Sequence, residues 1–133
     1  MSNKVERSVA ELEVTDWLDK KKVSASVRES NKDSIELLID CICDGELVKD
    51  DKNNLDYTLK HSFGDEEKVT KLTFKPRLND KMLKPYLNGV KTNDAEGRLL
   101  AYISALTTVQ RAILENMDSV DKKVAMAVVI FFL

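Results

Sequence analysis

Three side chains in the sequence could supply metal ligands or a nucleophile and its base: Cys41, Cys43 and His61. The two thiols lie in "DCICDG", at a spacing that seldom forms a native disulfide and on an apolar stretch where a thiol stays protonated and inert. The single histidine has no Cys or carboxylate set around it at zinc-ligand spacing. The pattern therefore predicts reduced, partly buried thiols in a reducing cytosol and no metal site.

Neighbouring carboxylates are the other candidates for chemistry, and they occur as Asp50-Asp51 and Glu66-Glu67. Both pairs fall in predicted turns, where a solvated surface accounts for them. The sequence contains neither a glycine-rich phosphate loop nor a GxSxG motif. We therefore expect no catalytic residue and no cofactor, and a protein that is not an enzyme.

A basic segment runs from Lys68 to Lys91 and holds seven cations against one carboxylate, Asp80. One interpretation is the solvent face of a strand and a helix, and the other is a surface that attracts an acidic partner or nucleic acid. Tyr86 could stack on a base, but the segment does not otherwise interleave aromatic side chains with its cations, and the net charge of -2 is weak, so nucleic acid is disfavoured. The cations expected to steer a partner are Lys71, Lys75 and Lys84.

The helices and strands that must position these residues are expected to form one domain, since the chain has 133 residues. Its composition, 43% hydrophobic and 33% charged, is typical of a globular domain. The expected fold is mainly α with one β-hairpin (α+β), the small hairpin packed on a C-terminal helical bundle. Residues 33–133 are predicted to form the globular domain, and residues 1–32 an N-terminal arm. Trp17 and Leu18 should dock this arm on the core, and the Ser-rich stretch "SASVRESNKDS" is typical of a linker.

Local signals divide the domain into elements. Asp33 or Ser34 can cap a helix that ends near Gly45, and the region 44–54 is turn-rich and acidic. Apolar residues alternate in two runs, which predicts a hairpin with strands near 55–61 and 67–75.

Four further helices are expected after Pro76. The first is short, kinked, or starts at Pro85. Asn93 or Asp94 caps the second. A capping box formed by Thr107 and Gln110 breaks that helix and starts the third, through "VQRAILENM", which should bury Val109, Ile113 and Met117. Ser119 begins the last helix, although its β-branched residues leave a terminal strand as the alternative.

The segment Val124–Leu133 carries no charge, Gly or Pro. It could be a membrane anchor, the last core element, or a surface kept for a partner, but it has about half the roughly 20 apolar residues of a spanning helix. A helix that is apolar on every side must be buried all round. We therefore expect part of it, with Phe132 and Leu133 foremost, to meet a client or another copy of the chain. The residues expected in this contact are Met126, Val128, Phe131, Phe132 and Leu133.

From Leu55 onward the order of elements resembles the tail assembly chaperones of long-tailed bacteriophages. The hairpin stretch "LDYTLKHSFGDEEKVTKLTFKPR" carries part of this likeness, and "NDAEGRLLAYISALTT" followed by the apolar end carries the rest. Pro85 and "TTVQRA" depart from the family pattern, and residues 1–50 lie outside it. The matching residues are Leu59, Gly64, Val69, Thr70, Leu72, Phe74 and Lys75 in the hairpin, and Asp94, Leu99, Leu100, Ala101, Leu106, Thr107, Met117, Asp118, Val128 and Phe132 beyond it.

The resemblance implies a non-enzymatic chaperone in the host cell cytoplasm that is absent from the mature virion. Such chaperones bind the tape measure protein, keep it from aggregating and hand it to the tail tube; some members also have a frameshifted, longer form. The alternatives are a structural tail or baseplate subunit retained in the virion and a nucleic-acid-associated regulatory protein. A homo-oligomer is compatible with each of them.

Overall fold

The computed structural model describes residues 5–133, apart from the side chain of Glu67. As predicted, the fold is mixed α and β, with helices packed on a small antiparallel sheet. The sheet has three strands in the order β1-β2-β3, one more than the predicted hairpin. The helices are α1 (Arg7–Lys21), α2 (Ala25–Ser30), α3 (Lys32–Cys43), α4 (Asp80–Leu83), α5 (Ala95–Thr107), α6 (Arg111–Leu114) and α7 (Ser119–Val129), and the strands are β1 (Leu47–Lys49), β2 (Leu55–Phe63) and β3 (Val69–Phe74).

The N-terminal region is helical, and the predicted linker over "SASVRESNKDS" is wrong, because α2 and the start of α3 occupy it. Buried residues at spacings of four, three and one give α1 an apolar face that joins the common core. Trp17 and Leu18 belong to this face, each 2% exposed, which confirms their docking role. Arg7 adds ion pairs to Glu36 and Asp40 on α3, so α1 is held along its length.

The helix predicted before Gly45 is present as α3, but it begins at Lys32 and no side chain caps it at Asn31. Gly45 follows the helix with a φ of 78°, a left-handed conformation that glycine adopts without steric cost. The acidic region after it contains β1, which the sequence did not indicate. A strand of only three residues is too short to show a period of two.

Strands β2 and β3 form the predicted hairpin, and the alternation of buried Leu55, Tyr57 and Leu59 confirms its core face. Their pairing is regular up to Thr58 opposite Lys71 and resumes at Phe63 opposite Val69. The intervening register shift leaves backbone groups of β2 without partners in the ladder. This irregular stretch faces the start of α7, where a side chain of that helix accepts hydrogen bonds from its free amides.

The segment after the hairpin begins with Asn79, whose side chain accepts from the Met82 amide and caps α4. A 3-10 turn over Lys84–Leu87 continues it, since Pro85 cannot donate to an α-helical ladder. Asp94 caps α5 by accepting from the Gly97 amide. The break after α5 lies where it was predicted.

The predicted capping box at this break is wrong. The Thr107 hydroxyl donates to Ile103 O at 2.7 Å, and no side chain caps α6 at Gln110. Instead, Thr108 ends α5 in a left-handed conformation with a φ of 64°. Leu114 is the fully buried residue of α6, rather than the predicted Ile113.

The apolar end of the chain is a helix, not a strand. It begins at Ser119, as predicted, and a 3-10 turn over Ile130–Phe132 follows it. The Asp118 side chain caps it by accepting from the Val120 amide. Burial against α3, α5 and β2 compensates for the weak helix propensity of its β-branched residues.

Candidate interaction surface

A buried carboxylate fixes the position of α7. Asp121 is 0% exposed, and its Oδ1 accepts from the Tyr57 hydroxyl at 2.6 Å and from the Lys60 amide at 2.8 Å. Its Oδ2 accepts from the His61 amide at 3.0 Å. Both amides lie in the irregular stretch of β2, so Asp121 satisfies backbone donors that the sheet leaves free. Because one residue binds three donors, the rotation and height of α7 relative to the sheet are fixed.

The fixed rotation determines which side chains of α7 face solvent. The outer row starts at Lys123 and continues at spacings of three, four and three, the repeat of a helix face. Met126 is 49% exposed and Leu133 is 74% exposed, with Ile130 half-buried between them. Ile130 was not among the predicted contact residues, although the helical spacing counted from the polar Lys123 identifies this row.

Two of the predicted contact residues belong to the core. Val128 is 0% exposed and Phe131 is 7% exposed, and the Phe131 ring packs edge-on against Trp17 with centroids 5.9 Å apart. These positions face inward because Asp121 directs that side of α7 toward the sheet. We correct the prediction accordingly: Val128 and Phe131 support the surface from below and contact no partner in this conformation.

Phe132 lies between the surface and the core. Its ring is 6.1 Å from that of Trp17, and the Lys21 ammonium lies over its face, 3.2 Å from the centroid. Lys21 Nζ also donates to Pro76 O at 3.3 Å. Burial, and to a smaller extent the charge of Arg77, lowers the pKa of Lys21 to about 8. One face of Phe132 is thus occupied by a cation of the same chain.

The exposed row of α7 is continuous with apolar side chains of α3 and α5. Three adjoining depressions cross these helices, and Leu133 lines two of them together with Leu99. Met126 and Ile130 connect the second depression to the third. We call this surface the apolar belt. It consists of Leu37, Leu99, Tyr102, Met126, Ile130 and Leu133.

The charges along the apolar belt are unevenly compensated. Glu96 is paired with Lys122 at 2.5 Å, and Asp33 and Lys123 line the same depression with opposite signs. Arg98 is the charged residue of the depression formed by Leu99, Tyr102 and Leu133. It makes no ion pair with any carboxylate within residues 5–133 whose side chain is described.

The basic segment contributes exposed cations, but not uniformly. Lys71 on β3 and Lys84 after α4 are exposed, whereas Lys75 is half-buried. The Lys75 backbone amide donates to Leu106 O at 3.1 Å and its Nζ to Ala105 O at 3.4 Å, so this residue mainly joins the end of β3 to α5. Between positions 69 and 93 the six cations form no ion pair with a described carboxylate.

The residues considered for chemistry do not converge. Cys41 is buried, which raises the pKa of its thiol to about 12. Cys43, the last residue of α3, is half-buried. His61 lies on β2, and its side chain is exposed. Across the described part of the chain, no group of three His, Cys, Asp or Glu side chains could hold a metal ion.

None of the helices within residues 5–133 is both long enough and apolar enough to cross a membrane. Comparison of the chain with protein family models, with curated proteins and with solved structures gave no match.

Proposed function

We propose that this protein is a phage tail assembly chaperone that binds the tape measure protein through the apolar belt and keeps it soluble during tail assembly. The observation that carries the proposal is the solvent-facing apolar row of α7, held at a fixed rotation by Asp121. The resemblance of residues 55–133 to this family supports it. It acts without catalysis in the host cell cytoplasm and leaves before the virion is complete.

The apolar belt has the properties that reversible capture of a helix requires. Its side chains come from three helices that share one core, so little conformational entropy is lost when a partner binds. Contiguous exposed apolar side chains on a folded domain are typical of protein interaction sites. Apolar burial is also non-directional, which suits a client that offers many similar helices.

The contribution of one residue follows from its exposure. Leu133 is 74% exposed, and complete burial of a leucine side chain is worth about 1.5–3 kcal/mol. Covering its exposed part on docking therefore contributes roughly 1–2 kcal/mol, or about five- to thirtyfold in affinity. We expect Leu133→Asp to lose at least this factor, since the introduced carboxylate must also be desolvated.

The test is coexpression with the tape measure protein of the same phage, followed by measurement of the soluble fraction of that protein. Leu133→Asp and Met126→Asp should lower this fraction without lowering the thermal stability of the chaperone. Leu12→Asp is the matched control, because Leu12 is 69% exposed on α1, a helix outside the apolar belt. If the variants of the belt and the control behave alike, the belt is not the capture surface.

Mass spectrometry of purified particles separates this function from that of a structural subunit. A chaperone should be absent from them, and stoichiometric presence in the virion would contradict the proposal.

A further inference from the structure

Arg98 places a positive charge beside one part of the apolar belt. In the depression between α5 and the end of α7, the polar lining consists of Arg98, Thr92 and Asn93, and the other residues that line it are apolar or aromatic. A half-buried guanidinium beside apolar side chains loses part of its hydration. The described carboxylates leave it without an ion pair, so a partner group that accepts hydrogen bonds from it is favoured at this position.

The chain segment that leads into this depression is also positively charged, and the two carboxylates at the start of α5 are engaged, since Asp94 caps the helix and Glu96 pairs with Lys122. The loop that supplies Thr92 and Asn93 also carries Lys91, which is exposed. The 3-10 turn that begins at Lys84 packs against α5. Residues 69–93 contain six cations and one carboxylate in a chain whose net charge is -2. The ion pairs of the described side chains lie outside this segment, so its exposed cations, which exclude Lys75, are available to a partner.

We propose that the depression formed by Arg98, Leu99, Tyr102 and Leu133 binds an amphipathic helix whose apolar stripe is flanked by acidic residues. The stripe covers Leu99, Tyr102 and Leu133, a carboxylate of the helix pairs with Arg98, and the neighbouring cations raise the rate of encounter. This inference rests on the proposed chaperone function and states which helices of a client are captured first.

The probes are three synthetic helices of about 20 residues with the same leucine stripe and with Glu, Gln or Lys at every flanking position. Fluorescence anisotropy with the full chain measures their dissociation constants at low and at moderate salt. We expect the Glu helix to bind at least about tenfold more tightly than the Lys helix, and salt to narrow this difference. Arg98→Glu should abolish or reverse the preference, Arg98→Gln should reduce it, and Arg98→Lys should retain most of it.

Lys52→Glu is the charge-matched control, because Lys52 is exposed in the turn between β1 and β2, which does not line the depression. It changes the net charge as much as Arg98→Glu does, and it should leave the preference for the Glu helix intact. Thermal melts of each variant verify that the fold is retained. An equal effect of both reversals would show only long-range attraction and would overturn the assignment to Arg98.

Other outcomes separate this inference from the function on which it rests. If the Glu and Lys helices bind equally and Leu133→Asp weakens both, apolar capture stands and the acidic preference is wrong. If no helix binds and Leu133→Asp leaves client solubility unchanged, both proposals fail. A stable dimer that Leu133→Asp dissociates, or a labelled oligonucleotide that displaces the Glu helix, would assign the surface to a second copy or to nucleic acid and overturn the inference.

Discussion

Replacing Asp121 by asparagine changes one charge and almost no volume at the contact that orients α7. In the Asn side chain the oxygen can still accept from the Tyr57 hydroxyl and the Lys60 amide, but the amide nitrogen replaces Oδ2 and faces the His61 amide. Two donors then oppose each other. An unsatisfied buried donor costs about 1–3 kcal/mol, and the loss of charge weakens the two remaining bonds by about 1 kcal/mol in total. We expect D121N to lower the free energy of unfolding by about 3 kcal/mol, a large part of the 5–15 kcal/mol typical of a domain.

Urea denaturation followed by the fluorescence of Trp17, the single tryptophan, measures this change. D118N is the matched control, because Asn caps a helix about as well as Asp, and its effect should stay within about 0.5 kcal/mol. Y57F should cost about 1 kcal/mol in the wild type and less in D121N, since the two residues share one hydrogen bond. A D121N variant as stable as D118N, or additive effects of Y57F and D121N, would refute the assigned role of the carboxylate.

Four further outcomes follow from local geometry. Thr108→Gly should raise the free energy of unfolding by about 0.5–1 kcal/mol in urea titrations, because an exposed β-branched residue at a φ of 64° is strained. Asp94→Ala should lower it by about 1 kcal/mol in the same assay, through loss of the cap of α5. A thiol reagent at pH 8 should modify Cys43 in the folded protein and Cys41 only after unfolding, since burial raises the pKa of Cys41 to about 12; mass mapping identifies the site. Because the pKa of Lys21 is lowered to about 8, the unfolded chain binds more protons between pH 8 and the ordinary lysine pKa of 10.5, so wild type should gain stability relative to Lys21→Met as pH rises through this range. A stability difference that moves the other way would contradict the burial of the amine.

The elements that the sequence located correctly are those with local signals. Gly45 ends α3, Asn79 and Asp94 cap the helices that follow them, and Pro85 limits α4 to a short helix. Each of these effects depends on the conformation of one residue and its immediate neighbours. Such signals survive in any tertiary context, so the hairpin and the C-terminal helices could be placed from the sequence.

The helices of the N-terminal region could not be predicted from local sequence patterns. The buried residues of α1 begin with Ala10 and Val14, which carry little hydrophobic weight beside the exposed Val9 and Leu12. An interpretation based on the larger side chains therefore selects the wrong face. The apolar face of α1 forms only because α3 and the end of the chain pack against it.

The sequence predicted that the chain end has exposed apolar residues, but it did not predict which of those residues face solvent. The apolar composition of the chain end indicated exposed apolar residues, and Met126 and Leu133 are exposed. The same composition gave no means to choose the outward face, which is why Val128 and Phe131 were assigned wrongly. That choice depends on the burial of Asp121, which is close to β2 only in the folded chain.

Because Asp121 fixes the rotation of α7, one side of this helix packs on the sheet and the other side faces solvent. Positions toward the sheet must keep their identity, whereas the exposed Lys123, Met126 and Leu133 can change without altering how α7 sits in the domain. A mutational library restricted to that outward series would vary the proposed binding surface at nearly constant stability. Deliberate retargeting of the proposed capture surface has a natural place to begin there.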